Sequence, residues 1–202
     1  MQNKQNISAI ILSAGASSRM GTHKCLLEFN ENQNFLEKII NEYHNFGCNK
    51  IIVVVNNAIE KLLKKKNFKT YNNVKFSINQ QPEKGRFSSI KKGFERIENE
   101  EFVYISNIDN PFISEELLSE IYLHKNSGDF VVPAFNGKGG HPILVTKKII
   151  SAIKKENKND LNLRFFLSNF KKFKFEQKNA QILLNINTKE KYYDTFKKRN
   201  IH

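Results

Sequence analysis

The chain has only two cysteines in 202 residues, too few for a disulfide framework. Cys25 and Cys48 also lack the paired spacing of metal-ligating cysteines. No apolar run approaches the roughly 20 residues that a membrane-spanning helix needs. The amino terminus is polar and has no apolar core of the kind found in signal peptides. We therefore expect a cytoplasmic globular protein, with one domain over residues 1–202.

Acidic residues are scarce relative to basic ones, with 20 Asp and Glu against 33 Lys and Arg and a formal net charge of +13. A positive field of this kind can attract nucleic acid or a polyphosphate substrate. Many of the lysines are scattered, for example at 64–66 and 171–174, and no motif of a DNA- or RNA-binding module is visible. We therefore expect neither a membrane nor a nucleic-acid partner, and a basic RNA-binding module is the weaker alternative.

Short apolar runs alternate with amphipathic segments along the chain. Predicted strands cover 7–12, 51–55, 74–78, 102–106, 130–133, 143–145 and 183–186. Predicted helices cover 35–46, 58–66, 88–97, 114–124, 147–155, 163–170 and a terminal segment from 189. This repeated β-then-α order predicts a doubly wound, mostly parallel sheet between helices, a three-layer α/β/α architecture of Rossmann-like type.

A loop rich in small residues follows the first predicted strand. It contains Gly15 and Gly21, the cations Arg19 and Lys24, and three serines at 13, 17 and 18. Backbone N–H groups in such a loop can approach an anion closely, and fixed cations neutralise its charge. The spacing of the glycines excludes both a P-loop and a dinucleotide fingerprint. A tight turn would explain the glycines alone, but Arg19, Met20, Gly21 and Lys24 together predict phosphate binding.

Other polar residues follow predicted strands, where ligands collect in parallel sheets. Asp109 follows a buried strand and can hold Mg²⁺, or it simply forms a turn before Pro111. Asn185 and Asn187 are two residues apart, so in an extended strand both face the same side. They bind a ligand there, or they satisfy backbone groups at the end of the strand. Asn79 closes another predicted strand.

The segment from Leu12 to Lys24 resembles the signature L-x-x-G-x-S-x-R-M-G-x-x-K of the molybdenum cofactor nucleotidyltransferases, and the resemblance continues in order to Thr188. It implies a nucleotidyltransferase of Rossmann-like fold that uses Mg²⁺ and transfers NMP from an NTP to molybdopterin, releasing pyrophosphate. It also implies a molybdoenzyme or its chaperone as a protein partner. The alternatives are a molybdenum cofactor guanylyltransferase, a sugar-phosphate or other nucleotidyltransferase of the same fold, and a non-catalytic nucleotide-binding accessory protein.

The resemblance also assigns roles to individual residues. As catalytic residues it implies Arg19, Lys24 and Asp109. As metal ligands it implies Asp109 and Asn187. For the nucleotide it implies Leu12, Ser13, Ala14, Gly15, Ser17, Ser18, Arg19, Lys24, Asn79, Gly85 and Ser88. For the acceptor it implies Gly140, His141, Pro142 and Arg164.

Structural roles remain open for several of these residues. Ser88 can cap a helix, His141 can be a structural residue of a Gly/Pro turn, and Arg164 can be an exposed helix residue. Ile108 stands where the family has glycine, which makes the shape of the loop before Asp109 an open question. Lys24 could lower the pKa of the adjacent Cys25, but no His–acid pair accompanies that thiol.

Two motifs favour CTP as the nucleotide and a third opposes it. Ala14 lies in Leu-Ser-Ala-Gly, which is similar to the Leu-Ala-Ala-Gly of cytidylyl enzymes rather than the Leu-Ala-Gly-Gly of guanylyl enzymes. The Gly-Gly-His-Pro segment at 139–142 also resembles the cytidylyl branch. Asn-Ile-Asn-Thr at 185–188 is closer to the guanylyl branch. We expect CTP to be preferred over GTP.

Overall fold

The computed structural model describes residues 6–15 and 20–196. The strands are β1 (Ile7–Leu12), β2 (Glu28–Asn30), β3 (Gln33–Asn34), β4 (Lys50–Val55), β5 (Val74–Ile78), β6 (Phe102–Asn107), β7 (Phe130–Phe135), β8 (Lys138–Gly139), β9 (Ile143–Thr146) and β10 (Lys172–Glu176). The helices are α1 (Phe35–Phe46), α2 (Asn57–Lys65), α3 (Arg86–Phe94), α4 (Glu115–Leu123), α5 (Lys147–Lys155), α6 (Leu163–Leu167) and α7 (Lys189–Phe196). None of these helices is long and apolar enough to cross a membrane.

The main sheet has the strand order β10-β7-β9-β6-β1-β4-β5, and β8 pairs with β7. β1 is parallel to both of its neighbours, β4 and β6, whereas β9 runs antiparallel between β6 and β7. The chain builds one half of the sheet from β1 to β4 and β5, and then crosses to β6 on the other side of β1. The strand order therefore reverses between β1 and β6, and a crevice forms at their carboxyl ends.

Alternation along β1 divides the interior into two hydrophobic clusters. Ile7, Ala9 and Ile11 belong to the cluster that includes buried residues of α1 and α4. Ile10 and Leu12 belong to the cluster that includes α3 and α5. Both faces of the strand are covered, which is why its sequence is an almost uninterrupted apolar run. The predicted doubly wound, three-layer architecture is confirmed.

Local interactions fix both ends of α1. The Asn34 side chain accepts from the backbone N–H of Glu37, whose carboxylate accepts in turn from the Asn34 N–H, forming a capping box. At the other end Gly47 has φ 93°, a left-handed conformation that favours glycine. The helix therefore covers 35–46 as predicted.

One predicted strand was wrong, and four strands, β2, β3, β8 and β10, were not predicted. The predicted strand at 183–186 does not form. Leu183 ends a short 3-10 helix, Ala180–Leu183, and residues 184–187 have no regular structure. Conversely, β10 was missed because its lysines read as a charge run, although Phe173 and Phe175 alternate with them and pack on the core. β10 lies at the edge of the sheet, where lysines commonly protect an exposed strand.

The start of α3 also differs from its prediction. The helix begins at Arg86, and Gly85 occupies the N-cap position with no side-chain cap. Ser88 therefore lies inside the first turn and is not the N-cap. Its hydroxyl instead donates to the Gly85 carbonyl at 2.7 Å, which holds the entry of the helix.

Gly93 allows α3 to approach the sheet closely. A Cβ at this position would lie 2.7 Å from Ile10 Cγ2 and 3.2 Å from Val54 Cγ2. Overpacking costs about 1–3 kcal/mol, whereas replacing a helical glycine with alanine gains only about 0.5–1 kcal/mol. We expect Gly93→Ala to lower the free energy of unfolding measured in urea. Lys61→Ala, at an exposed position of α2, is the control and should be close to neutral. A Gly93→Ala protein as stable as wild type would contradict this packing.

Candidate functional site

A cleft of about 410 Å³ opens at the carboxyl ends of β1 and β6, where the strand order reverses. Residues from the first loop, the loop after β6, the start of α3 and the segment before α7 form its walls. Seven residues predicted from the sequence line it: Leu12, Ala14, Gly15, Lys24, Gly85, Asp109 and Asn187. Ser17, Ser18 and Arg19 lie outside the described residues, so their predicted roles remain predictions.

A charged cluster occupies this cleft. Lys24 Nζ donates to Asn187 Oδ1 at 2.5 Å and lies 3.6 Å from Asp109 Oδ2. The side chains of Lys24 and Asp109 are only 13% and 24% exposed, so their attraction is less screened than at an open surface. Three residues far apart in the sequence thus meet at one point, which combines a cation with two oxygen groups.

Hydrogen bonds hold the irregular segment 180–187 across the end of the sheet. The Ile182 carbonyl accepts from the Asn110 side chain at 2.9 Å and from the His141 N–H at 3.0 Å. Further along, the Ile186 N–H donates to the Asp109 carbonyl at 2.7 Å. These contacts fix the segment without a strand ladder and deliver its end to the cleft.

The two asparagines of this segment do not share a face as predicted. Asn185 is exposed, whereas Asn187 is partly buried and bonded to Lys24. The expectation failed because it assumed an extended strand, and no strand forms here. Asn187 alone joins the cleft.

Gly140 has a packing reason to be glycine. Its N–H donates to the Pro133 carbonyl at 2.7 Å, and a Cβ would lie 2.6 Å from the Ile182 carbonyl oxygen. A side chain there would therefore push segment 180–187 off the sheet. This close approach exists whether or not Gly140 also meets a ligand.

The loop before Asp109 accommodates Ile108 without strain. Ile108 has no positive φ, so glycine is not required at this position. Its N–H donates to the Leu12 carbonyl at 3.1 Å and its side chain is 8% exposed. A backbone bond thus anchors the loop to β1, the Ile108 side chain is buried beside it, and Asp109 still lines the cleft.

The donor atoms of the cleft fit a hard divalent cation. Asp109 Oδ1 is buried and has no hydrogen-bond partner among the described residues. The amide oxygen of Asn187 meets the same Lys24 ammonium. Mg²⁺ usually takes one or two protein oxygens and completes its shell with water and phosphate. Within residues 6–15 and 20–196 there is no cluster of three or more acidic, His or Cys ligands.

Asn79 and Ser88 bond to each other rather than lining the cleft. Asn79 Nδ2 donates to the hydroxyls of Ser88 and Ser89, each at 2.9 Å, and Asn79 Oδ1 accepts from the Gln81 N–H at 3.0 Å. The pair lines a separate cavity of about 430 Å³ beside the connection from β5 to α3. Their nucleotide-binding role stays a prediction. Ser13 is buried, and its N–H donates to the Val54 carbonyl at 2.8 Å.

A larger cavity of about 1200 Å³ adjoins the cleft. Of the predicted acceptor residues, Gly140, His141 and Arg164 line it, whereas Pro142 is buried beside it. Basic side chains recur on its walls at Lys138, Lys172 and Lys174. The cavity is therefore suited to an anionic ligand.

His141 presents a neutral ring to this cavity. Burial, and secondly the positive charge of Arg86, lower the pKa of His141 to about 4. Its Nε2 lies 3.2 Å from the amide nitrogen of Asn107, which can only donate. The ring proton is therefore assigned to Nδ1, which is buried and lacks a partner among the described residues.

Cys25 is not an activated thiol. Burial raises its pKa to about 11, and the neighbouring polar side chain of Ser13 offsets only part of this effect. The expectation that Lys24 could lower the pKa of Cys25 was wrong, because desolvation dominates. The protonated thiol is excluded as a nucleophile at neutral pH.

Six wall residues of the cleft were not predicted as site residues, and two of them, Arg86 and Asn107, contact or act on predicted ones. Asn107 is the last residue of β6 and contacts His141. Arg86 is the first residue of α3, and the first turn of that helix has no acidic residue. A cation at a helix amino terminus opposes the helix dipole. This conflict was not visible from the sequence, because the helix was predicted to begin at Ser88 rather than at Arg86.

The chain was compared with known families and relatives. The family model of the MobA-like NTP transferase domain matches residues 9–175. The molybdenum cofactor cytidylyltransferase of Escherichia coli is 30% identical over 187 residues, which are 92% of this chain and 93% of that protein. A probable molybdenum cofactor guanylyltransferase of Clostridium perfringens is 27% identical over 206 residues, covering 96% and 98% of the two chains.

Solved structures show the same fold at lower identity. Rv0371c from Mycobacterium tuberculosis has a TM-score of 0.82 at 16% identity, covering 95% of this chain and 97% of its own. A nucleotidyl transferase from Methanothermobacter has a TM-score of 0.75 at 22% identity, covering 97% and 100%. The family match and the shared fold are consistent with a ligand cleft at the carboxyl ends of β1 and β6. The chain belongs to the MobA-like NTP transferase family and is a nucleotidyltransferase.

Proposed function

We propose that the protein transfers CMP from CTP to molybdopterin of the molybdenum cofactor, with Mg²⁺, and releases pyrophosphate. The observation that carries this proposal is the meeting of Lys24, Asp109 and Asn187 in the cleft after β1. Nucleotidyl transfer requires positioning and neutralisation of phosphate charge more than covalent help from the protein. The protonated Cys25 thiol agrees with a reaction that uses no protein nucleophile.

In the proposed reaction the two cavities hold the two substrates. CTP lies in the cleft, with Gly15 and the loop amides on its phosphates, and Lys24 and Arg19 neutralise the leaving pyrophosphate. The acceptor lies in the larger cavity, where Arg164 and the lysines attract its phosphate and the Nδ1–H of His141 donates to it. An oxygen of the acceptor phosphate attacks the α-phosphorus of CTP, and the bond to the β-phosphate breaks.

Asp109 and Asn187 would hold the metal ion. When bound there, Mg²⁺ supplies positive charge to the reacting phosphates. The unpaired, buried Asp109 Oδ1 supports this role, because it is an oxygen without a protein partner in the described structure. A protein of this fold, Rv0371c of Mycobacterium tuberculosis, has been crystallised in complex with manganese, at 13% identity and a TM-score of 0.77.

Ala14 is proposed to select the base. It is 2% exposed and forms part of the cleft wall, and its carbonyl accepts from the Asn56 side chain at 2.9 Å. This bond fixes the backbone that carries the methyl group. The relatives include both cytidylyl and guanylyl enzymes, and the Escherichia coli cytidylyltransferase reaches 30% identity over most of the chain.

We expect Lys24→Ala to reduce turnover on the order of a hundredfold to a thousandfold, because loss of one transition-state contact costs about 2.7–4 kcal/mol. Pyrophosphate release with CTP and molybdopterin measures this effect, and circular dichroism checks the fold. Lys61→Ala again serves as the control, since Lys61 is exposed on α2. A folded Lys24→Ala enzyme with nearly normal turnover would remove Lys24 from the phosphate site.

Asp109→Ala should abolish Mg²⁺-dependent binding of CTP, and Asn187→Ala should weaken it less, because a neutral carbonyl is a weaker ligand than a carboxylate. Calorimetric titration of CTP with and without Mg²⁺ measures this difference. Asp194→Ala, at an exposed position of α7, is the matched control. If Asp109→Ala binds CTP with wild-type affinity and wild-type metal dependence, Asp109 is not a metal ligand.

Wild-type enzyme should prefer CTP over GTP by roughly ten- to two-hundredfold in kcat/KM, since a small steric difference is worth about 1–3 kcal/mol. Ala14→Gly should reduce this preference by making room for a purine. Competition between the two nucleotides in one assay measures both effects. Equal use of the two nucleotides, or preference for GTP, would show that the methyl group of Ala14 does not select the base and would favour a guanylyltransferase.

A further inference from the structure

We infer that Arg86 binds the attacking phosphate of the acceptor, at the junction between the nucleotide cleft and the larger cavity. This inference rests on the proposed function, because it requires two substrates that meet between the two cavities. It adds a residue that touches the reacting groups and that neither the sequence motifs nor the family resemblance indicated.

The position of Arg86 is the first support. Among the described wall residues, only Gly85 and Arg86 belong to both cavities. Gly85 has no side chain, so the Arg86 guanidinium is the one side-chain group that borders both. It acts electrostatically on Asp109 in the cleft and on His141 in the cavity. This cation therefore lies where the phosphates of the donor and the acceptor would meet.

The chemistry of Arg86 is the second support. Arg86 is exposed to solvent, so an anion can reach its guanidinium, while partial desolvation by the surrounding protein lowers its pKa and the nearby carboxylate of Asp109 raises it. No acidic side chain of the described residues forms an ion pair with it. A guanidinium presents its N–H donors in a planar fork that matches two phosphate oxygens. The site is thus prepared for an anion that comes from outside the chain.

The protein groups around Arg86 also favour an anion. Arg86 begins α3, whose first turn carries no acidic residue and whose N-cap, Gly85, contributes no side-chain acceptor. The positive end of the helix dipole therefore adds to the guanidinium charge. On the other wall, the buried Nδ1–H of His141 lacks a partner among the described residues. Arg86 and His141 thus line the same cavity, and neither has an acidic partner among the described residues.

An anion site at Arg86 would reduce the electrostatic repulsion between the two substrates of the proposed reaction. A phosphate monoester must approach a triphosphate, and the two negative charges repel each other. The acceptor oxygen forms a new bond to the α-phosphorus, the bond from that phosphorus to the β-phosphate oxygen breaks, and pyrophosphate leaves with the electron pair. Arg86 stays protonated throughout, holds the attacking phosphate and offsets the repulsion.

Kinetic variants test this role. We expect Arg86→Met to reduce kcat/KM for molybdopterin at least a hundredfold, with KM for CTP within threefold of wild type. Arg86→Lys should recover part of the loss, because it restores the charge without the fork. Arg96→Met is the matched control, since Arg96 is exposed just beyond the same helix. Wild-type kinetics in Arg86→Met, or an equal loss in Arg96→Met, would overturn the inference.

A binding measurement gives a readout that does not depend on turnover. Inorganic phosphate, titrated by calorimetry into each protein saturated with CTP, should bind wild type and Arg96→Met alike and Arg86→Met at least tenfold more weakly. Equal phosphate binding by all three proteins, or none by wild type, contradicts an anion site at Arg86. Failure of wild type to bind either CTP or GTP would instead contradict the proposed function. If Arg86→Met does not fold, Arg86→Gln and Arg86→Lys carry the same comparison.

Discussion

The hydrogen bonds that pin residues 180–187 across the end of the sheet are the constraint on which the site depends. The Ile182 carbonyl accepts from both Asn110 and His141, which belong to the two loops beside β6 and β9. A single carbonyl thus connects the loop that carries Asp109, the wall of the larger cavity and the segment that carries Asn187. Because Gly140 lies against the same residue, even a methyl group there would disturb all three parts.

The two cavities also differ in the charges of the side chains that line them. In the cleft, the Lys24 ammonium contacts the Asp109 carboxylate and the Asn187 amide oxygen. In the proposed complex, a metal ion and the nucleotide phosphates would replace these contacts. In the larger cavity the basic side chains outnumber the acidic ones among the wall residues. Burial keeps His141 neutral, so it contributes a hydrogen-bond donor rather than another charge. Arg86 stands between the two environments.

The sequence predicted the features that depend on local chemistry. The helical spacing of apolar residues located α1, and the apolar runs located β1 and β4. It could not predict how Asn187 reaches Lys24, because that contact depends on hydrogen bonds from two distant loops and not on a strand. β10 was hidden because its lysines face solvent while its phenylalanines pack inward. Arg86 was missed because nothing local shows that two cavities meet beside it.

The central claim is that Asp109 and Asn187 hold a divalent metal against the phosphates of a nucleotide in the cleft after β1. The most direct measurement is a crystal structure with Mn²⁺ and a non-hydrolysable CTP analogue, using the anomalous signal of manganese. The account predicts an anomalous peak within coordination distance of the Asp109 carboxylate and the Asn187 amide oxygen, with nucleotide phosphates completing the shell. A nucleotide bound in the cleft with its metal held away from both side chains would contradict it.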